Sequence, residues 1–309
     1  MEADTVAERS EATPAPPLHT LAGALSGAIA ASLTQPLEVI KTRMQAERRE
    51  AHRRTRYAGL YSSVRTILND EGPRGLFVGL VPSTLALVPA LGSFFTIYSS
   101  VKAWMDPAET DDTTFFTLKC ATSAGIAWSL TSVLTNPLWL MRTRAITRML
   151  DETKCIHLLT KEAHRPTMRN LLQEIVGEGG LGGLYRGTLV SMAGFPAASV
   201  QFALYENLRR LIDCEGAQRV YYMGIASLTS AILSQLVCFP LEVLRTRVQS
   251  GLEGPRIRLF HLVRNMIYRE GISSFYRGLG PSMLRTVPNT ALALISYEFL
   301  LEFFQKLTL

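Results

Sequence analysis

Apolar positions in this chain fall in long uncharged blocks separated by short polar ones, not in single alternating steps. Six blocks stand out: 19–38, 76–101, 120–141, a fourth opened by Tyr185-Arg186-Gly187 and lasting to Tyr205, 220–241, and 277–298. Each is roughly twenty residues long, about what an α-helix needs to cross a bilayer. Within each successive pair of blocks lies a short amphipathic stretch, at 61–70, 168–176 and 259–269. These stretches close on Glu71-Gly72, Glu178-Gly179 and Glu270-Gly271, which read as helix stops. The stretches themselves read as helices lying along the membrane interface. The pattern predicts an all-α membrane protein of three tandem hairpins, each with two transmembrane helices and a short amphipathic helix. The expected boundaries are a disordered tail at 1–17 and repeats at 18–106, 113–213 and 219–306, forming one integral membrane domain.

The repeat is plainest in an eight-residue stretch that closes each odd-numbered block. It reads Pro36-Leu37-Glu38-Val39-Ile40-Lys41-Thr42-Arg43, Pro137-Leu138-Trp139-Leu140-Met141-Arg142-Thr143-Arg144 and Pro240-Leu241-Glu242-Val243-Leu244-Arg245-Thr246-Arg247. Copies recur about every hundred residues, so an internal threefold repeat is required. A proline that ends or kinks the helix, then an acid and bases, suits a gate. Glu38 and Lys41 share a helix face, as do Glu242 and Arg245.

Composition supports spans over small soluble domains. Hydrophobic residues make up 47% and charged residues 19%, with 22 glycines and 15 prolines spread through the apolar blocks. Membrane helices tolerate that mixture because neighbours re-satisfy the freed backbone groups. The net charge of +6 points to an anionic partner, but its distribution is topological. Basic residues follow the odd-numbered spans, among them Lys154, Lys161 and Arg165, whereas Asp106, Glu109, Asp111 and Asp112 follow the second. The positive-inside rule then puts the motif side in the inner compartment and both termini on the opposite face. Nucleic acid is disfavoured as a partner. Cys120, Cys155, Cys214 and Cys238 show no close pairing, and the five histidines have no metal-ligand spacing, so no disulfide framework, metal or cofactor is expected. No nucleophile–base pair or phosphate-binding glycine loop suggests an enzyme.

The three proline motifs, the Glu-Gly elements followed by Tyr185-Arg186-Gly187 and Tyr276-Arg277-Gly278, and the hairpin spacing resemble the mitochondrial carrier family over about residues 18 to 305. The resemblance implies a six-helix barrel of three pseudo-symmetric repeats around a central cavity, with a gate at each end. It also implies residence in the inner mitochondrial membrane, a small-molecule substrate, a bilayer environment that includes cardiolipin, and a monomer. Trp139 departs from the pattern where an acid is usual. Asn136-Pro137-Leu138-Trp139 is similar to the version in carriers of pyrimidine nucleotides, NAD, and FAD or folate. Arg285-Thr286-Val287-Pro288-Asn289-Thr290-Ala291 and Met192-Ala193-Gly194 look like stretches of pyrimidine nucleotide carriers. A tryptophan that merely fills core or lipid-facing space is the plainer reading of Trp139.

A charge census singles out one side chain. Five of the six blocks carry no Asp, Glu, Lys or Arg between their boundary charges, while the sixth carries Arg285. An ionisable group inside a membrane costs about 2.5–3.5 kcal/mol on insertion scales and faces a cavity or a partner. No acid is expected at its depth, so Arg285 reads as a phosphate binder, or else as a snorkelling or structural residue. Ala86, Ala193-Gly194 and Arg285-Thr286 share one level of the even spans, which the resemblance makes the substrate level. Asn289 and Gln201 are placed to bond a base or ribose, or simply to join helices.

Family pairing implies a matrix gate with Glu38–Arg142 and Glu242–Lys41 pairs. Arg245 is left without a partner by Trp139, and Gln45 and Gln249 brace the pairs. It implies a cytoplasmic gate at Tyr98 and Lys102, Tyr205, Glu206 and Arg209, and Tyr297 and Glu298, with Glu298–Lys102 keeping both charges. Two matrix pairs against one predict an empty protein resting with its matrix gate closed. The expected function is alternating-access transport of nucleotides, pyrimidine nucleotides first and NAD or FAD/folate next. A carboxylate or amino-acid carrier and a non-transporting adaptor are the more distant readings.

Overall fold

The computed structural model describes residues 16–48, 56–104, 113–150, 167–192, 217–254 and 258–308. Ala193, Gly194, Gln201, Tyr205, Glu206 and Arg209 lie outside these residues, as do the acidic link and most of the N-terminal tail. Among the described residues the regular structure is helical. Five long helices are α1 (Pro16–Ala46), α3 (Leu80–Trp104), α4 (Thr113–Thr147), α7 (Ala217–Ser250) and α9 (Leu279–Thr308). Short helices are α2 (Leu60–Glu71), α5 (Met168–Gly179), α6 (Thr188–Met192), which opens the fourth block, and α8 (Leu259–Asn265), extended by a π-turn Met266–Glu270. On length and composition alone, 73–104 and 228–250 are apolar enough to cross a membrane, with mean hydropathy 1.8 and 1.3.

The motif prolines do not end their helices. Pro36, Pro137 and Pro240 lie inside α1, α4 and α7, which continue through the motif bases. A proline inside a helix removes one backbone donor, yet the motif residues that follow carry their own N–H groups and resume the ladder. The motif threonines add a bond to the turn: Thr42, Thr143 and Thr246 donate to the carbonyls of Glu38, Trp139 and Glu242 at 2.8, 3.0 and 3.0 Å.

The apolar core sits at the motif end, one cluster per repeat. Val39, Ile40, Tyr57 and Ile67 pack with Ile146; Leu140 and Met141 pack with Ile175; Phe239, Val243, Leu244 and Val248 pack with Leu262 and Met266. The amphipathic segments bury residues four apart, Ser63 and Ile67, Leu171 and Ile175, Leu262 and Met266, as a one-faced helix must. Large apolar side chains elsewhere, such as Leu33, Phe95, Leu134, Val237 and Phe299, are exposed. The helix stops fall at Gly72, Gly180 and Gly271, with φ of 71°, 65° and 81°. The second lies one residue beyond the expected Gly179. Packing is most extensive between α1 and α9 and between α3 and α4, so the first and last long helices are neighbours. Gly278 (φ 84°), ahead of α9, allows that closeness: a Cβ there would sit 3.0 Å from the carbonyl oxygen of Lys41.

Candidate functional site: two rings at the motif end

Because each motif follows a proline at the same helical depth, α1, α4 and α7 bring equivalent residues to one level. Arg142 Nη2 lies 2.6 Å from Glu38 Oε1, and Lys41 pairs with Glu242. Both implied pairs are therefore formed. Arg245 has no carboxylate partner among the described residues, and its Nε is buried without an acceptor. It lies within electrostatic range of Glu242, Arg142 and Glu38. Trp139, which stands where an acid would answer Arg245, instead lies 5.2 Å from the Arg142 guanidinium, within cation–π distance.

Arg285 corrects the sequence reading. Its Nη1 is 2.8 Å from Glu38 Oε2, so an acid does reach it. Each oxygen of one carboxylate thus faces a different arginine, although Oε2 meets Arg285 only at ion-pair distance and accepts no well-aligned hydrogen bond. Glu38 belongs to the motif at one end of the chain and Arg285 to α9 near the other. They meet because α1 and α9 pack together, which counting charges within single blocks cannot show. The inner ring is Glu38, Lys41, Arg142, Glu242, Arg245 and Arg285: four cations around two carboxylates, a surplus of two positive charges. Three of its guanidinium groups, those of Arg142, Arg245 and Arg285, keep a buried Nε without an acceptor.

Other expectations are revised around this ring. Gln45 and Gln249 join helices but do not brace an ion pair: Thr246 donates to Gln45 Oε1 at 2.8 Å, and Thr143 to Gln249 Oε1 at 3.1 Å. Ala86 is fully buried and presents no surface to a ligand in this conformation. Thr34 donates to Asn289 Oδ1 at 3.1 Å, so Asn289 links α1 to α9, one of its two expected roles. Thr286 donates to the Ser282 carbonyl at 3.0 Å. At the opposite end Glu298 is exposed and makes no ion pair with a described residue; the Glu298–Lys102 pair is not formed here. Tyr98 stacks on Phe94 at 6.1 Å.

A second ring, not anticipated from the sequence, lies beside the first. The last arginine of each motif donates its Nε to a backbone carbonyl of the next repeat: Arg43 to Ile146 at 3.1 Å, Arg144 to Gln249 at 3.0 Å, Arg247 to Gln45 at 3.0 Å. The same arginines pair with the acid that ends the amphipathic segment of their own repeat, Arg43–Glu71, Arg144–Glu178 and Arg247–Glu270. The signal was available: arginine and acid recur in step in all three copies, although the acids read as parts of helix stops. Outside the spans, burial pushes the Glu47 carboxyl up from its ordinary value, partly offset by the backbone N–H groups of Arg56 and Tyr57 that it accepts.

The family model for mitochondrial carrier protein matches residues 13–108, 113–215 and 217–308. The nicotinamide adenine dinucleotide transporter 2 of Arabidopsis thaliana is 30% identical over 92% of this chain and 79% of its own length. The mitochondrial nicotinamide adenine dinucleotide transporter 1 of Saccharomyces cerevisiae is 30% identical over 91% and 76%. Solute carrier family 25 member 33 of Mus musculus is 31% identical over 92% and 94%. Three family-model matches in register with three proline motifs, with helix as the regular structure of the described residues, lead to one conclusion: this chain belongs to the mitochondrial carrier family, whose members are transporters and not enzymes.

Proposed function

We propose that this protein carries a nucleotide-type anion across the inner mitochondrial membrane by alternating access. The observation that carries the reading is the inner ring, with two surplus positive charges and three buried guanidinium donors lacking acceptors. Buried donors require acceptors, and arginine forks suit phosphate oxygens. A phosphorylated substrate supplies both the acceptors and the compensating charge. Pyrimidine nucleotides lead because the stretch from Arg285 to Ala291 and the Met192-Ala193-Gly194 stretch resemble those of their carriers. NAD is the second reading, favoured by the two relatives named as its transporters.

The basic loops put the motif end toward the matrix and both termini toward the intermembrane space. With Glu38–Arg142 and Lys41–Glu242 formed, this conformation has its matrix gate shut. Substrate enters from the intermembrane space, binds at the level of Arg285, and its binding energy offsets the opening of that gate. Glu298–Lys102, with Tyr98 and Tyr297 nearby, closes the outer side in the opposite state. A thermal-shift screen of the purified protein against pyrimidine and purine nucleotides, NAD, FAD, folates and keto acids tests the class. A ligand at a hundred times its Kd adds about 2.7 kcal/mol. Stabilisation by a keto acid with no response to any nucleotide sinks the nucleotide reading.

A further inference from the structure

Glu38 is the one carboxylate of the inner ring that serves two arginines, one at the gate and one at the expected substrate level. The sharing is unequal in access. Glu38 is 9% exposed, whereas the Arg285 side chain is 27% exposed. Arg285 also meets Glu38 through a single Nη at ion-pair distance, without a well-aligned hydrogen bond to Oε2, and keeps its buried Nε without an acceptor. Once Glu38 gives way, a phosphate group entering from the open side of Arg285 can take the guanidinium by two donors at once, and that bidentate bond is stronger than the single contact it replaces.

We propose that Glu38 acts as an internal stand-in for the substrate phosphate, occupying Arg285 until the phosphate displaces it. The proposal rests on the nucleotide reading above and adds its coupling step. Displacement breaks the ionic tie between α1 and α9 and leaves Glu38 on Arg142 alone. The matrix gate then loses one of the contacts holding α1 in place at the moment the site fills. An unphosphorylated nucleoside cannot displace Glu38, so it neither competes for Arg285 nor loosens the gate. Glu242, the other carboxylate of the ring, pairs with Lys41 and with no arginine of α9. It is therefore the matched control for the loss of one negative charge.

The test is the affinity of purified protein for inorganic pyrophosphate and for a pyrimidine nucleoside triphosphate, read from concentration-dependent melting. Glu38→Gln should tighten both by about tenfold, the order expected when a charge-assisted competitor is removed. Glu242→Gln should tighten them by less than about twofold, because a change in overall field is screened. The Glu38→Gln gain should vanish in Glu38→Gln/Arg285→Gln. Its survival there would assign the gain to Arg142 and overturn the proposal. Equal gains from Glu38→Gln and Glu242→Gln, or none from Glu38→Gln, also overturn it. Should Glu38→Gln not fold, Glu38→Asp keeps the charge but shortens the reach, and about threefold tighter binding is expected. Unchanged or weaker binding by Glu38→Asp counts against the stand-in role. If pyrophosphate follows this pattern and no nucleotide binds any variant, the coupling stands and the nucleotide reading fails. If neither probe binds any variant, both fall.

Discussion

Two rings of charge lie side by side at the motif end, and they differ in symmetry. The ring of Arg43, Arg144 and Arg247 is threefold: each arginine bonds a carbonyl of the next repeat and an acid of its own. The inner ring is not. Trp139 replaces an acid, Arg285 is matched at its level of α3 by the uncharged Ala86, and Glu38 is shared. A nucleotide has no threefold axis, so the residues that would recognise it must depart from the repeat, while those that hold repeats together gain by keeping it. The ring that keeps the symmetry is the scaffold, and the ring that breaks it is the candidate site.

The sharpest division between the rings is in stability. Arg247→Ala leaves the Glu270 carboxylate, 7% exposed, with only the long 3.8 Å contact to Arg277, and deletes bonds to the carbonyls of Gln45 and Glu47. Removing one partner of such a buried pair costs about 3–5 kcal/mol, so the melting temperature in detergent should fall steeply. Arg144→Ala should cost less, because Glu178 is 33% exposed and can be rehydrated. Small losses at both positions would argue that the ring is not the scaffold.

Arg285→Ala belongs to the other class. It should abolish uptake of phosphorylated substrate into liposomes while the protein remains folded, with stability lowered by about 1 kcal/mol, since the Glu38 carboxylate keeps its pair with Arg142. Near-normal uptake would remove Arg285 from the site. Trp139→Asp restores the missing acid near Arg245. It should raise stability by roughly 0.5–1 kcal/mol and slow transport by strengthening the matrix gate. A lower melting temperature would mean that position 139 faces lipid. Glu298→Gln should be the smallest change in stability, within about 0.5 kcal/mol, because the side chain is exposed here. Its transport rate should still fall if Glu298 pairs in the opposite state. A large melting shift would show that the outer gate is already engaged.

The sequence carried the fold well because the fold repeats: block length, the triplicated motif and the buried four-apart positions of the amphipathic segments are all local. The pairs Glu38–Arg142 and Lys41–Glu242 followed from the family pattern. The contact between Glu38 and Arg285 did not, since it depends on α1 and α9 packing as neighbours, and no local pattern encodes which helices meet. Of the two uses expected of the motif prolines, ending the helix is excluded, because continuation of a helix depends on the residues after the proline as much as on the proline itself. The helix-stop acids misled. Glu71, Glu178 and Glu270 have one local use, ending a helix, and a second use visible only once the arginines are in place.

The carbonyl bonds of the scaffold ring run in one direction, repeat one to two, two to three, and three back to one. Such a cycle has no end. Deleting the third repeat removes two of its three links, Arg144 to Gln249 and Arg247 to Gln45, and leaves Arg43 to Ile146 alone. During synthesis the cycle closes only after the last motif has emerged. Until then Arg144 is a cation without its full set of acceptors, in a place where water is scarce. Nascent chains one or two repeats long are therefore expected to be poor substrates for stable membrane residence. Biogenesis of this protein should be all or none in chain length, with truncated products open to proteolysis and the closing step set by docking of α7 and α9 onto α1.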